Sequence, residues 1–141
     1  MVSIKLPDDL SRQLTRLGSD LDGVAEKILE AGGQAALEIV RGSLQSVVGK
    51  GTKTPSRSTG ELVSALGLSP TKVGRDGNHN IKIGFAEPRS GGESNAKIAN
   101  ILEYGRHGQP ARPFLKPVQS RAKKAALDAM KAKFEQEVGS L

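Results

Sequence analysis

The chain of 141 residues has two histidines, His79 and His107, and no cysteine. Those counts bound the metal and acid–base chemistry open to it. A metal site needs companion ligands at short spacing, and neither histidine has them. His79 stands beside an Asp76-Gly77 turn signal, and His107 lies in a polar loop between Arg106 and Gly108. A His107–Glu103 pair is a geometrically possible acid–base unit, but no Ser or Asp nucleophile motif accompanies it. Glu103 fits a cap, or a pair with a nearby arginine, better than a catalytic base. The stretch VGKGTKT at 48–54 suggests a phosphate loop. It lacks the Gly-Lys-Ser/Thr ending at the required spacing, and no strand precedes it. It reads instead as a basic loop in which Lys50, Lys53 and Arg57 touch a phosphate backbone or an acidic protein face. The residues therefore predict no enzyme, no bound metal and no cofactor.

Charge is the next constraint. The formal net charge is +6 and the sequence pI is near 9.8. Such a balance favours acidic partners, such as nucleic acid, a membrane surface or an acidic protein. The excess gathers at 50–57 and at 121–133, where the lysines also suit the wet face of a helix. There is no Trp and only one Tyr, which leaves no stacking platform for single strands. No helix-turn-helix or zinc-finger spacing is present, so sequence-specific binding is not expected. Salt-sensitive contact with duplex DNA through Lys and Arg stays open. The lack of cysteine excludes disulfides and fits a reducing cytoplasm. The start, MVSIKLPDDLSRQL, has no basic segment followed by an apolar run, so it does not read as a signal peptide. The apolar runs are too short to span a bilayer, and no membrane partner is expected.

These groups need elements to position them. The length suits one domain over 1–141, with a core mostly of Leu, Ile, Val and Ala because aromatics are 3%. Residues 1–18 read as an extended SIKL piece followed by a helical turn or short helix opened by Pro7 and Asp8. A long helix is expected from about Asp20 to Val47, with a stripe of Leu21, Val24, Ile28, Ala31, Ala35 and Ile39. Gly32 and Gly33 interrupt it and mark a kink or a close approach by another backbone. A mobile Gly/Ser/Thr-rich loop covers 48–60, and the capping-box spacing of Ser58 and Glu61 starts a short helix ending at Ala65. The period then changes. Residues 71–85 read as two strands around Asp76-Gly77, with Ile81, Ile83 and Phe85 on one face. A second flexible loop covers 86–95. A helix carrying Ile98, Ile101 and Leu102 follows, and a last helix from about Pro117 carries Leu127, Met130, Phe134 and Val138. The expected fold is α+β: a small antiparallel sheet packed by a long N-terminal helix and a C-terminal helix, with long mobile loops.

Two of the four aromatic residues fall in EYGRHGQPARPFLKPVQ at 103–119. Pro113 and Pro117 fix the backbone of an elbow there. Phe114 and Leu115 can then be pinned against the sheet or a neighbouring subunit, aiming the last helix. Glu103 and Arg112 are close enough in sequence to brace the loop as an ion pair. The pattern extends further. Ser58-Thr59-Gly60-Glu61-Leu62, Ile81-Lys82-Ile83-Gly84, Ala99-Asn100-Ile101-Leu102-Glu103-Tyr104-Gly105 and Pro110-Ala111-Arg112-Pro113-Phe114-Leu115-Lys116-Pro117 follow in that order before a Lys/Ala-rich closing helix. In order and spacing this resembles the small head–tail joining or tail-completion (minor tail) proteins of long-tailed phages and prophages. The resemblance covers roughly residue 54 to the C-terminus and, more loosely, the first long helix. Where such proteins often carry Thr after the Glu-aromatic-Gly triplet, this chain has Arg106.

The resemblance implies a non-enzymatic subunit of a homo-oligomeric ring around the DNA channel, assembled in the bacterial cytoplasm and residing in the virion neck or tail. Its partners would be copies of itself and neighbouring neck and tail proteins, with non-specific DNA contact in the channel. Glu103, Tyr104, Arg112, Pro113, Phe114, Leu115 and Pro117 are the candidate assembly residues. The alternative from composition is a small basic protein that binds nucleic acid without sequence specificity.

Overall fold

Ile81 and Ile83 alternate with Lys82, and that alternation decides on which side of the sheet the core lies. The computed structural model describes residues 2–17, 21–47, 61–75, 78–86, 95–105, 107–108 and 110–139. In chain order the elements are β1 (Val2–Lys5), α1 (Asp8–Leu17), α2 (Leu21–Val47), α3 (Glu61–Ala65), β2 (Leu66–Leu68), β3 (Lys72–Val73), β4 (His79–Phe85), α4 (Asn95–Tyr104), a 3-10 turn (Lys116–Val118) and α5 (Gln119–Gly139). The fold is α+β.

β4 is the spine of the sheet. β1 pairs antiparallel on one side, with Val2 opposite Ile83 and Ile4 opposite Ile81. β2 and β3 pair antiparallel on the other. Residues directly opposite each other share a face. Val2, Ile4, Ile81 and Ile83 therefore form a buried apolar face, while Ser3, Lys5 and Lys82 take the exposed one. β2 and β3 are one edge interrupted at 69–71, where Pro70 has no N–H to give the ladder. Ser69 bridges the gap on both sides of its residue. Its main-chain N–H donates to the Lys82 carbonyl at 2.8 Å, and its hydroxyl oxygen accepts the Lys82 N–H at 3.0 Å. The antiparallel pairing of β3 with β4 is as expected from the change of period, and the Asp76-Gly77 turn signal lies outside the described residues. The pairing of the SIKL piece and the short β2 strand were not legible, because three- and four-residue strands carry too little alternation to register.

α1 has Asp8 and Asp9 in its first turn and Arg16 in its last, the arrangement its dipole favours. Leu10 and Leu14, one turn apart, are buried. α2 lies across the apolar face of the sheet, and α5 runs along another side of α2. The two glycines at the centre of α2 serve both contacts. A Cβ on Gly33 would come within 3.0 Å of the Leu68 side chain, and one on Gly32 within 2.6 Å of Met130 Cγ and 3.1 Å of the Ala126 carbonyl oxygen. They mark the close approach, and α2 runs on through them.

This approach corrects two expected stripes. The buried line of α2 is Ala25, Ile28, Leu29, Ala36, Leu37, Val40 and Leu44, while Val24, Ala31, Ala35 and Ile39 are half-buried flanks. On α5 the buried line is Ala122, Ala126, Met130 and Phe134, Val138 is half-buried, and Leu127 is 36% exposed. Where two helices close over a glycine, small residues are the contact. On α5 this brings Ala122 and Ala126 into the buried line, and on α2 the buried line turns to Leu29, Leu37, Val40 and Leu44, the face shared by the sheet and α5.

Candidate functional site

The site begins where β4 ends. Ala86 closes the strand by donating its N–H to the Ala65 carbonyl at 2.8 Å. Its own carbonyl accepts the Asn95 side-chain amide at 2.8 Å, and Asn95 is 1% exposed. One buried polar side chain thus fixes the start of α4 to the end of β4. Asn95 was expected at the edge of the 86–95 loop, and it is the first residue of α4. Asn ahead of an apolar helical run is a start signal that could have placed it there. Residues 87–94 and the 48–60 loop, with Lys50, Lys53 and Arg57, lie outside the described residues.

α4 stops at Gly105, whose φ of 78° is the left-handed conformation that closes many helices. Its N–H reaches the Ile101 carbonyl at 2.7 Å. One turn back, Glu103 turns its carboxylate onto the elbow. Oε1 accepts the main-chain N–H groups of Phe114 at 3.1 Å and Leu115 at 2.9 Å, and Oε2 accepts that of Lys116 at 3.0 Å. These are the amides that lead into the 3-10 turn and α5. The first amides of a helix have no partner inside it and carry its positive pole. Glu103 satisfies them with a negative charge brought from another helix. A second tie runs beside it: the Arg112 N–H donates to the Leu102 carbonyl at 2.7 Å. Glu103 thus acts on this loop as a cap, and the main chain of Arg112 holds the loop to the end of α4.

Phe114 is buried at the centre of the elbow. Its ring meets Phe85 edge-on, with centroids 6.4 Å apart and planes at 77°. Its carbonyl accepts the hydroxyl of Ser43 on α2 at 2.5 Å. Phe114 is thus pinned to the end of the sheet and to α2 within its own domain. Ser43, 71 residues away in sequence, carried no signal of this role. Leu115 and Pro113 are half-buried, and Pro117 is exposed at the start of the 3-10 turn, where its missing N–H costs nothing. Tyr104 points away, 76% exposed, on the rim of a groove of about 320 Å³ between α4, the end of β4 and the elbow.

The structure therefore brings Glu103, Arg112, Pro113, Phe114 and Leu115 into one clasp and leaves Tyr104 and Pro117 at its surface. The Glu103 carboxylate is on three main-chain amides, and His107 is exposed. Among the described residues no group of three or more His, Cys, Asp or Glu side chains could hold a metal, and no helix is long and apolar enough to cross a membrane. The chain matches no protein-family model, no curated protein and no solved structure.

Proposed function

We propose that this protein is a structural subunit of a tailed-phage neck or tail-completion ring, joining the tail to the DNA-filled head. The observation that carries this reading is the convergence of the sequence pieces that resemble such proteins. The Ile-Lys-Ile-Gly strand delivers Phe85 to Phe114, and the Glu-Tyr-Gly triplet caps the Pro-Phe-Leu elbow through Glu103. Pieces that lie apart in sequence thus have one joint purpose: they set the direction of the closing helix. Such a part suits a subunit that must present the same faces to each neighbour in a ring. Phe114 belongs to the inside of the subunit, so the contacts between subunits fall to the surface around it. Tyr104 is the candidate anchor, because an exposed aromatic beside a groove is the kind of residue that dominates interface energetics. In this reading the protein has no catalytic role, assembles in the host cytoplasm and ends in the virion.

Solution mass by light scattering across a salt series tests it. A discrete ring-sized species that persists in high salt is expected, because apolar contacts survive screening. A monomer at every salt and protein concentration, alone and with neck and tail proteins of a phage that encodes the chain, would sink the reading. The basic pI of about 9.8 favours a second reading, a nucleic-acid-associated protein without sequence specificity. A monomer that grows only with added DNA and only at low salt would support that one instead.

A further inference from the structure

Of the two places where the basic excess gathers, 50–57 lies outside the described residues and the other can be followed in the fold. Between Glu103 and Asp128 there is no acidic residue, and six cations stand there: Arg106, Arg112, Lys116, Arg121, Lys123 and Lys124. The remaining 15 Lys and Arg (21 − 6) balance all 15 Asp and Glu, so this one segment equals the whole net charge of +6. Four of the six, Lys116, Arg121, Lys123 and Lys124, are exposed within nine residues on the 3-10 turn and the first turns of α5.

An ordinary solvated helix face interleaves its signs. The second half of α5 does so: Lys133 pairs with Glu137 at 3.4 Å, and Lys27 on α2 reaches the same carboxylate at 3.9 Å. The first half does the opposite. Its cations gather at the positive pole of the helix, the end where the dipole disfavours them, and its first turn has no acid. Among the described residues, the anion applied to this pole is Glu103, and it is spent on the main-chain amides. A sequence that breaks local electrostatics with no compensating acid in its own segment or in the first turn of the helix points to a partner beyond that helix.

We propose that the N-terminal part of α5 is a duplex-DNA contact surface, with Lys116, Arg121, Lys123 and Lys124 on the phosphate backbone. Its composition selects that occupant. Lysine is depleted in protein–protein interfaces, whereas compact ammonium groups suit phosphates. The chain's other aromatics, Phe85, Phe114 and Phe134, are buried or half-buried, and Tyr104 is on α4, so α5 offers nothing for unstacked bases to stack on. The contact reads backbone charge and no sequence. The inference deepens the ring reading by naming the face turned to the DNA, and it rests on that reading only for where the DNA lies.

The test compares two charge-matched variants of the full chain. One replaces Lys116, Arg121, Lys123 and Lys124 with Gln. The other replaces Arg12, Arg16, Lys72 and Lys82, exposed cations on α1, β3 and β4, in the same way. Binding to a labelled 30-bp duplex is followed by fluorescence anisotropy from 50 to 200 mM salt, with light scattering on each sample. The α5 variant is expected to bind at least about tenfold more weakly at the lowest salt, with a slope of log K against log salt lower by about three. The control variant keeps more than half the affinity. The melting temperature of the α5 variant is unchanged or higher, since the removed charges opposed the dipole. Equal losses in both variants, no loss in either, or a wild type that binds anionic vesicles but not duplex would each overturn the proposal. The scattering keeps the two readings apart, because a ring that persists with no patch-dependent binding removes this inference alone.

Discussion

Glu103 does at one residue what a helix usually asks of its own preceding side chain. A local N-cap accepts one or two amides, whereas Glu103 accepts three from a different helix, so its loss should cost more than an ordinary cap. Glu103→Ala is expected to lower unfolding free energy by about 2–3 kcal/mol in urea, since hydrogen bonds to a charged group go and the elbow amides lose their partner. Glu103→Gln keeps an acceptor but no charge, and about half that loss is expected. Equal effects of the two would mean that charge plays no part. Phe114→Ala should cost about 3–5 kcal/mol, because a buried ring leaves a cavity beside Phe85. Both roles were partly legible. The elbow prolines and the pinned Phe114 followed from backbone chemistry, and capping was one of the roles open to Glu103. What sequence distance hid was the identity of the partners: amides 11 to 13 residues on from Glu103, and a serine on α2.

At the scale of elements, the contact between α2 and α5 turns on Gly32. Replacing Gly by Ala inside a helix normally gains about 1 kcal/mol. At Gly42, where a Cβ meets nothing within 4 Å, Ala should stabilise by up to that amount. At Gly32 the new Cβ would sit 2.6 Å from Met130 Cγ and 3.1 Å from the carbonyl oxygen of Ala126, a main-chain atom. Overpacking of this kind costs about 1–3 kcal/mol, so the net effect should be destabilising. Opposite shifts of the urea midpoint for the two substitutions are the expected result, and a stabilising Gly32→Ala would contradict the close approach. The order and approximate limits of the long helices and the hairpin were legible because their periods are long enough to read. The rotation of the stripes was not: on α5 alanine buries little apolar surface of its own and makes a contact only through the partner that closes on it, and on α2 apolar residues line more than one face, so spacing alone does not choose the face that meets the sheet and α5.

For the whole molecule, the charge and the aromatic residues divide the surface into separate tasks. Four exposed cations stand within nine residues at the start of α5, while Tyr104 stands on α4 by the groove. Tyr104→Ala should leave stability within about 0.5 kcal/mol, as for an exposed site. In the ring reading it should also weaken assembly by about 2 kcal/mol or more per contact. Thermal melting and light scattering on the same sample separate those effects, and a variant that assembles normally would move the anchor elsewhere.

The clasp has one more consequence. Glu103 stands just before the 105–113 stretch and holds amides 114–116 just after it, and the Arg112 N–H on the Leu102 carbonyl adds a second tie, so the ends of the stretch are held together at their base. Doubling a flexible loop adds only about 0.6 kcal/mol of closure entropy. A short foreign epitope grafted at 107–108 should therefore leave the helices where they are, with the urea midpoint of the grafted chain close to that of the parent.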